Sequence, residues 1–407
     1  MQNKNFSFKI LRKDNITCAR VGTIFTPHGA IQTPAFSPVA TRATVKTLDP
    51  SDLINAGSQV VLANTYHLYL RPGIKIIEDF GGFAPFMKWD GPTITDSGGY
   101  QVSFLWSPSA KASVGQDTSG QESVLDSGRV AKITDEGATF ISHIDGARHL
   151  LSPEKSMEIQ HSLAADIIMA LDQPLGKDFS EKKKREAFER TLRWEERSFV
   201  RWNELETKRK KGTFQALYGI MQGGINKDQI RKSLEFILVT GFPGIAAGGE
   251  TIGTDPMLTS RTLDLVSDLL PDDKPLHALG LGGGPEGIFE AVERGVDTFD
   301  NTSITRQARS GLLFLYPEDG GKVENKFRMD IKKSKFKDIK EPFSKVCNCY
   351  SCSNFSAAYL HHLIISGELL GLRLASIHNV HFINDLMKKI REAILNGDFI
   401  QLKREWI

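Results

Sequence analysis

The stretch GPTITDSGGYQ, residues 91–101, ends a short apolar run on a carboxylate, Asp96, and follows it at once with Ser97, Gly98 and Gly99. Taken singly this is turn chemistry, because Asp and Ser bond nearby backbone and Gly reaches positive φ cheaply. Its meaning comes from recurrence. TPAFSPVAT, QVVLANTYH, PTITDSGG, ADIIMALDQ, ALYGIMQGG, GIAAGGE, LHALGLGGG and VDTFDNT are each a short apolar or β-branched run that closes on polar residues or glycine. Helical patterns lie between many of them, such as SPEKSMEIQHSLA and EGIFEAVERG. The first of these opens with Ser152 as N-cap, Pro153 at the first helical position and Glu154 in the first turn. Eight such runs alternating with helices predict an α/β fold, a (β/α)8 TIM barrel with a parallel sheet. A doubly wound open sheet is the structural rival. In a barrel, catalytic groups sit at the C-terminal ends of strands. Asp96, Asp172 and Asp300 finish three of the runs, Gln222 a fourth, and Gly248, Gly249 and Glu250 a fifth.

The chain has 407 residues and is 40% hydrophobic, enough for one large domain with a sizeable core and a smaller one. No window approaches the ~18 apolar residues of a membrane span, and the start, MQNKNFSFKILRKDN, lacks the apolar stretch of a signal peptide. With four cysteines in so long a chain, a cytoplasmic protein is expected rather than a disulfide scaffold. Net charge is only +2, but it is unevenly spread. Residues 301–407 hold 17 Lys and Arg against 11 Asp and Glu, so the C-terminal end is basic and the first 300 residues are slightly acidic. That balance fits either a solvated lysine-rich face or an RNA-facing patch. Residues 107–130 are rich in Ser, Gly and Lys without an apolar period and read as a long mobile loop or insertion. Residues 181–211, highly charged with scattered aromatics, read as an exposed helix.

Cys347, Cys349 and Cys352 crowd into CNCYSC. Three thiolates so close together can wrap one tetrahedral Zn²⁺ and leave a single ligand to find. His361, His362, His378 and His381 all follow within reach of the sequence. A site filled by four protein ligands is closed and structural, with no open position to activate water.

These residues resemble the tRNA-guanine transglycosylases, the queuine tRNA-ribosyltransferases. The likeness covers most of the chain, from ARVGTIFTPHGAIQTPAF to ASIHNVHF. It is most specific in TDSGGYQV, SHIDGARHLLSPEKSMEIQ, FDNTSITRQAR and the C-x-C-x2-C-x25-H array. The resemblance implies a barrel over residues 1–340, with an N-terminal extension and the insertion near 107–130, and a zinc-binding subdomain with a C-terminal helix over 341–407. It implies a homodimer acting on the anticodon loop of tRNA, where wobble guanine is exchanged for a 7-deazaguanine base on the way to queuosine. It selects His378 as the fourth structural zinc ligand. Asp300 matches the family nucleophile, Asp96 the general acid/base residue, and Asp172 the carboxylate that reads the guanine edge. Gln222 and Gly249 match the groups that bond the base carbonyl, Ser97 and Tyr100 line the pocket, and Leu279 covers its other face. Gly280, Gly282 and Glu286, with Thr305, Arg306, Gln307, Ala308 and Arg309, match the tRNA-contacting segments.

The chemistry explains the residue types. Breaking a nucleoside bond builds positive charge on the sugar, which one carboxylate can capture as a covalent ester while a second manages the proton of the base. Retaining glycosidases hold two such groups about 5–5.5 Å apart. An ionised Asp only accepts hydrogen bonds and suits the donor edge of guanine. A tyrosine face stacks on the base, and the base must first leave the anticodon stack. The chain departs from the family at Glu250 and Thr254, in the loop facing the substituent of the incoming base, and at Asn301 and Ile304 after the nucleophile. Glu250 could pair with the ammonium of 7-aminomethyl-7-deazaguanine, yet queuine also carries a protonatable amine. Presence of both Asp96 and Asp300 favours an enzyme over a non-catalytic tRNA-binding subunit of the same fold. A transglycosylase directed at DNA and a glycosidase acting on free nucleosides are competing activities for the same carboxylate pair.

Overall fold

A computed structural model describes residues 6–104, 132–176, 179–209, 213–249, 255–281 and 283–407. The segment 107–130, Glu250, Thr254 and Gly282 lie outside the described residues.

All eight apolar runs form strands of one parallel sheet. In chain order they are Ala35–Ser37 with Val39–Ala40, Val61–Ala63, Thr93–Thr95, Ile167–Met169, Ala216–Met221, Gly244–Ala247, Leu276–Ala278 and Thr298–Asp300. The first strand is broken at Pro38, which has no N–H to donate. Its first half pairs with the eighth strand and its second half with the second strand. The two halves therefore close the sheet into a barrel, and the open doubly wound rival falls.

Strands buried on both faces are expected of such a sheet, and their residues alternate between two cores. Ile167 and Met169 point inward with Leu62, Ile94, Tyr218, Ile220 and Ala246, while Ile168 joins the layer between strands and helices. The inner cluster also contains Phe6, Phe8, Ile24 and Ile31. These come from a three-stranded antiparallel sheet, Ser7–Lys13, Arg20–Thr26 and Gly29–Thr33. That sheet stops the barrel at the N-terminal ends of its strands. Its turn residue His28 bonds Asp166, just before the fourth strand, at 2.8 Å. Arg20 forms a bidentate pair with Asp297, just before the eighth, at 3.0 and 2.6 Å.

The helix Pro153–Leu163 starts as the sequence predicts, with Ser152 accepting from the Lys155 N–H and Pro153 in the first turn. Its Gln160 stitches the third and fourth strands through Thr95 Oγ1 at 2.9 Å and both backbone groups of Met169. Between these strands the chain also builds a small antiparallel sheet, Lys132–Ile133, Ala138–Ile141 and Arg148–Leu151. The charged helix expected over 181–211 spans Glu181–Thr207, and it is exposed on one side only. Phe188, Thr191, Trp194, Glu195, Ser198 and Trp202 are buried. After the barrel, the strands Leu312–Phe314 and Arg328–Asp330 lead to the helices Tyr350–Asn354, Ala357–Ile365, Leu369–Asn396 and Phe399–Trp406. Ile377, Val380, Phe382 and Trp406 share one continuous core with barrel residues. No helix among the described residues is long and apolar enough to cross a membrane.

Candidate active site and metal centre

Parallel strands deliver their C-terminal ends to one mouth of the barrel, and four predicted polar residues meet there. Asp96 follows the third strand. Its Oδ1 accepts from the Thr65 N–H at 2.8 Å, and its Oδ2 accepts from the Asn64 amide and from Gln101 Nε2 at 3.2 Å. Burial pushes the Asp96 carboxyl up to about 7; the negative charge of Asp300 adds to the rise, and the bonds from Thr65 and Gln101 oppose it. A carboxyl poised there holds or gives up a proton near neutrality, as a general acid/base requires.

Asp300 ends the eighth strand. Its Oδ1 accepts from the Gly280 N–H at 3.1 Å and lies 3.3 Å from His277 Nε2. Among the described residues Oδ2 has no hydrogen-bond partner, and the side chain keeps 12% of its surface exposed. One oxygen is thus held and the other is left without a partner among the described residues, the arrangement a nucleophile needs. Asn301 ties the two loops together, donating to Gly280 C=O at 2.8 Å and accepting from the Ser303 N–H at 2.7 Å.

Asp172, beyond the fourth strand, is buried and accepts from Ser97 Oγ at 3.1 Å and from Gln222 Nε2 at 2.8 Å. Burial pushes its carboxyl up to about 6 against the pull of those two bonds. The carbonyl oxygen of Gln222, Oε1, is buried without a partner among the described residues. Gly249, at φ +96°, brings the backbone against this amide: a Cβ there would stand 2.9 Å from Gln222 Oε1. Leu279 is partly buried against the inner core, with its side chain toward Gly248.

The glycines after Asp96 answer to close approach. Gly98 adopts φ +82°. At Gly99 a Cβ would lie 2.4 Å from the Asp172 carbonyl oxygen and 2.9 Å from its Oδ1. Ser97 accepts from the Gly99 N–H at 3.1 Å, and its own carbonyl is held by Ser156. Tyr100 lies in the first turn of the helix Gly99–Phe104 and is 54% exposed, so it is not core.

The segments expected to meet tRNA divide by orientation. Gly280, at φ +70°, uses its N–H on Asp300, and Glu286 sits in the first turn of the helix Pro285–Glu293. On the helix Ser303–Arg309, Thr305 and Ala308 turn into the core while Arg306 is exposed. Gln307 and Arg309 are half-buried. Asn64, Thr65, Gln101 and His277 were not expected at the site. Asn64 and Thr65 follow directly on the second strand, so the strand-end rule that marks Asp96 marks them also. His277 is a histidine within an apolar strand, bonded to Thr298 Oγ1 at 2.9 Å on one side and facing Asp300 on the other.

Cys347, Cys349, Cys352 and His378 form one buried cluster whose ligand atoms lie within 4.8 Å of one another. His378 Nδ1 stands 3.6, 3.8 and 3.4 Å from the three sulfurs. A tetrahedral metal with bonds of ~2.3 Å to sulfur and ~2.0–2.1 Å to nitrogen demands edges of roughly 3.6 Å. His378 Nε2 bonds Phe314 C=O at 2.8 Å, so that nitrogen carries the proton and Nδ1 presents its lone pair to the cluster. The donor set therefore fits a metal ion, and His361, His362 and His381 are not part of it.

A family model described as Queuine tRNA-ribosyltransferase matches residues 14–407. A protein of that name from Desulforudis audaxviator is 39% identical over 400 residues, covering 98% of this chain and 97% of the relative. Its namesakes from Desulforamulus reducens and Caldanaerobacter subterraneus are each 40% identical, over 403 and 402 residues, with 98% of this chain covered. With the barrel, the carboxylate pair at its mouth and the Cys3His cluster on the page, the chain belongs to the queuine tRNA-ribosyltransferase family.

Proposed function

We propose that this protein is a tRNA-guanine transglycosylase that exchanges wobble guanine for a 7-deazaguanine base through a covalent ribosyl–Asp300 intermediate. The observation that carries the reading is the pairing of Asp96 and Asp300 at one barrel mouth, close enough for the charge of one to raise the pKa of the other. Asp300 attacks C1′ of the wobble nucleoside, the N-glycosidic bond breaks, and its electron pair leaves with guanine. Asp96 gives guanine a proton. In the second half the incoming base returns a proton to Asp96, its nitrogen bonds C1′, and the ester electrons return to Asp300. The exchange balances without an oxidant, and the RNA stays attached throughout. Asp172 accepts from the donor edge of the base, Gln222 and the Gly249 N–H donate to its carbonyl, and Tyr100 and Leu279 enclose its faces. The incoming base is 7-aminomethyl-7-deazaguanine or queuine, serving queuosine formation. The cluster holds a structural Zn²⁺, which fastens the segment 347–352 to the helix Leu369–Asn396, while His378 Nε2 bonds the Phe314 carbonyl of the strand Leu312–Phe314. A cytoplasmic homodimer acting on the anticodon loop, with Arg306 and Arg309 toward phosphate, belongs to the same reading through family membership.

Incorporation of labelled guanine into unmodified tRNA tests the proposal. The native enzyme incorporates label and forms a denaturant-resistant RNA–protein adduct; Asp300→Asn does neither. Full activity in Asp300→Asn refutes the nucleophile, and absence of any exchange into tRNA by the native enzyme refutes the reading. Offering the two 7-deazaguanine bases separately and comparing their rates identifies the substrate.

A further inference from the structure

Base recognition in the proposed reaction falls to Asp172 and Gln222; beyond the Asp172 bonds to Ser97 and Gln222 and the Gln222 N–H bond to Ser233 Oγ at 3.1 Å, a second layer holds the strand ends. The helix Glu181–Thr207 turns Thr191, Glu195 and Ser198 onto the strand ends that carry them. Spacings of four and three residues put these side chains on one side of the helix, and all three are fully buried. Ser198 Oγ accepts from the Leu171 N–H at 3.2 Å. Thr191 Oγ1 accepts from the Gln173 N–H at 3.0 Å and donates to its carbonyl at 3.3 Å. Glu195 Oε1 accepts from the Ile220 N–H at 2.5 Å. The first two contacts flank Asp172, and the third stands two residues before Gln222. Glu195 Oε2 has no hydrogen-bond partner among the described residues.

We propose that Glu195, backed by Thr191 and Ser198, is a positioning residue for base recognition: this buried polar face fixes the strand ends that carry Asp172 and Gln222, and so sets affinity for the base without touching it. A bare carboxylate in this setting is costly. Burial, reinforced by the negative charge of Asp172, keeps the proton on Glu195 well above the usual carboxylate range, while the Ile220 N–H opposes the shift. Asp172 is the charged group that acts on Glu195 here. With Glu195 neutral, Asp172 is left as the anion for the donor edge of the base, and no second negative charge crowds it.

The inference rests on the transglycosylase reading, and exchange kinetics with guanine and tRNA varied separately distinguish the two. No exchange by the native enzyme removes that reading before any variant is compared. Given native activity, Glu195→Ala leaves the Ile220 amide unpaired and is expected to raise KM for guanine about tenfold, with KM for tRNA changed less than about twofold. Ser198→Ala removes only the Leu171 contact and is expected to raise KM for guanine about fivefold; it decides the matter if Glu195→Ala does not fold. Glu195→Gln keeps a carbonyl acceptor for Ile220 and carries no charge, so its guanine KM and pH profile stay within about twofold of native. The proposal is overturned if guanine KM is native in the first two variants that fold, or if both substrates' KM values rise together. A tenfold loss in Glu195→Gln overturns the neutral state.

Discussion

Replacing Gly99 with alanine adds a methyl group where the proposed base pocket has no room. The new Cβ would lie 2.4 Å from the Asp172 carbonyl oxygen, 2.9 Å from Asp172 Oδ1 and 3.1 Å from Ser97 Oγ. Ordinary van der Waals contact begins near 3.4 Å, so the backbone at 172 must retreat by about 1 Å. It cannot retreat freely, because Leu171 and Gln173 on either side are tied to Ser198 and Thr191. A misplacement of about 1 Å in a positioning group costs on the order of 100-fold in rate, equivalent to about 2.7 kcal/mol of transition-state stabilisation. Overpacking costs a further 1–3 kcal/mol or so of stability, small enough for the domain to remain folded. Guanine exchange should therefore show kcat/KM down about 100-fold in Gly99→Ala, with native metal content and near-native circular dichroism. Activity within about threefold of native, in a variant that is folded and metal-loaded, would refute the claim that the close approach of residue 99 to Asp172 shapes the pocket.

Other outcomes follow from the same geometry. Formation of the covalent adduct needs a proton on Asp96 and a charge on Asp172, so its rate should peak between their values of about 6 and about 7 and fall on both sides; a flat profile from pH ~5 to ~8 counts against both roles. Both shifts are upward, so in stability terms protonation favours the fold: the contribution is present below about pH 4 and is lost as pH rises through about 7, which urea titrations across that range would register. Arg20→Leu strips the bidentate partner from the fully buried Asp297 at the opposite end of the barrel. It should cost roughly 3–5 kcal/mol of unfolding free energy with little change in kcat, and an inactive variant of native stability would contradict that division. Cys352→Ala should abolish stoichiometric metal binding by elemental analysis and lower the thermal midpoint, because the cluster ties the segment 347–352 to the helix Leu369–Asn396; unchanged metal content would refute the ligand assignment.

The barrel was legible because its strands are largely buried on both faces and so appear as short apolar or β-branched runs with polar stops. Asp96, Asp172, Gln222 and Asp300 were legible for the same reason, as the stops. Their supports were less so. His277 bonds Asp300 across neighbouring strands, and Gln101 reaches back to Asp96 from the following helix; nothing local in the sequence announces either contact. The sequence of the helix Glu181–Thr207 reads as exposed because much of its docking face is Thr191, Glu195 and Ser198, and hydrophobic periodicity does not register a buried face that is polar. The N-terminal sheet stops the barrel through Phe8, Ile24 and Ile31, which alternate as in any half-buried strand and give no hint of what they cover.

Asp172 and Gln222 are bonded to each other at 2.8 Å, so in the proposed reaction each would serve as placeholder for the base. A base that enters must dissolve this internal handshake, and only one offering a donor edge beside an acceptor oxygen restores what it takes away. Adenine, with those roles reversed, would set an acceptor ring nitrogen against the acceptor-only Asp172 carboxylate, and sites built to hydrogen-bond a substrate reject such mismatches by factors of about 10⁴–10⁵. Under the proposed reaction, fidelity toward guanine-like bases is thereby written into the resting state, before any RNA arrives.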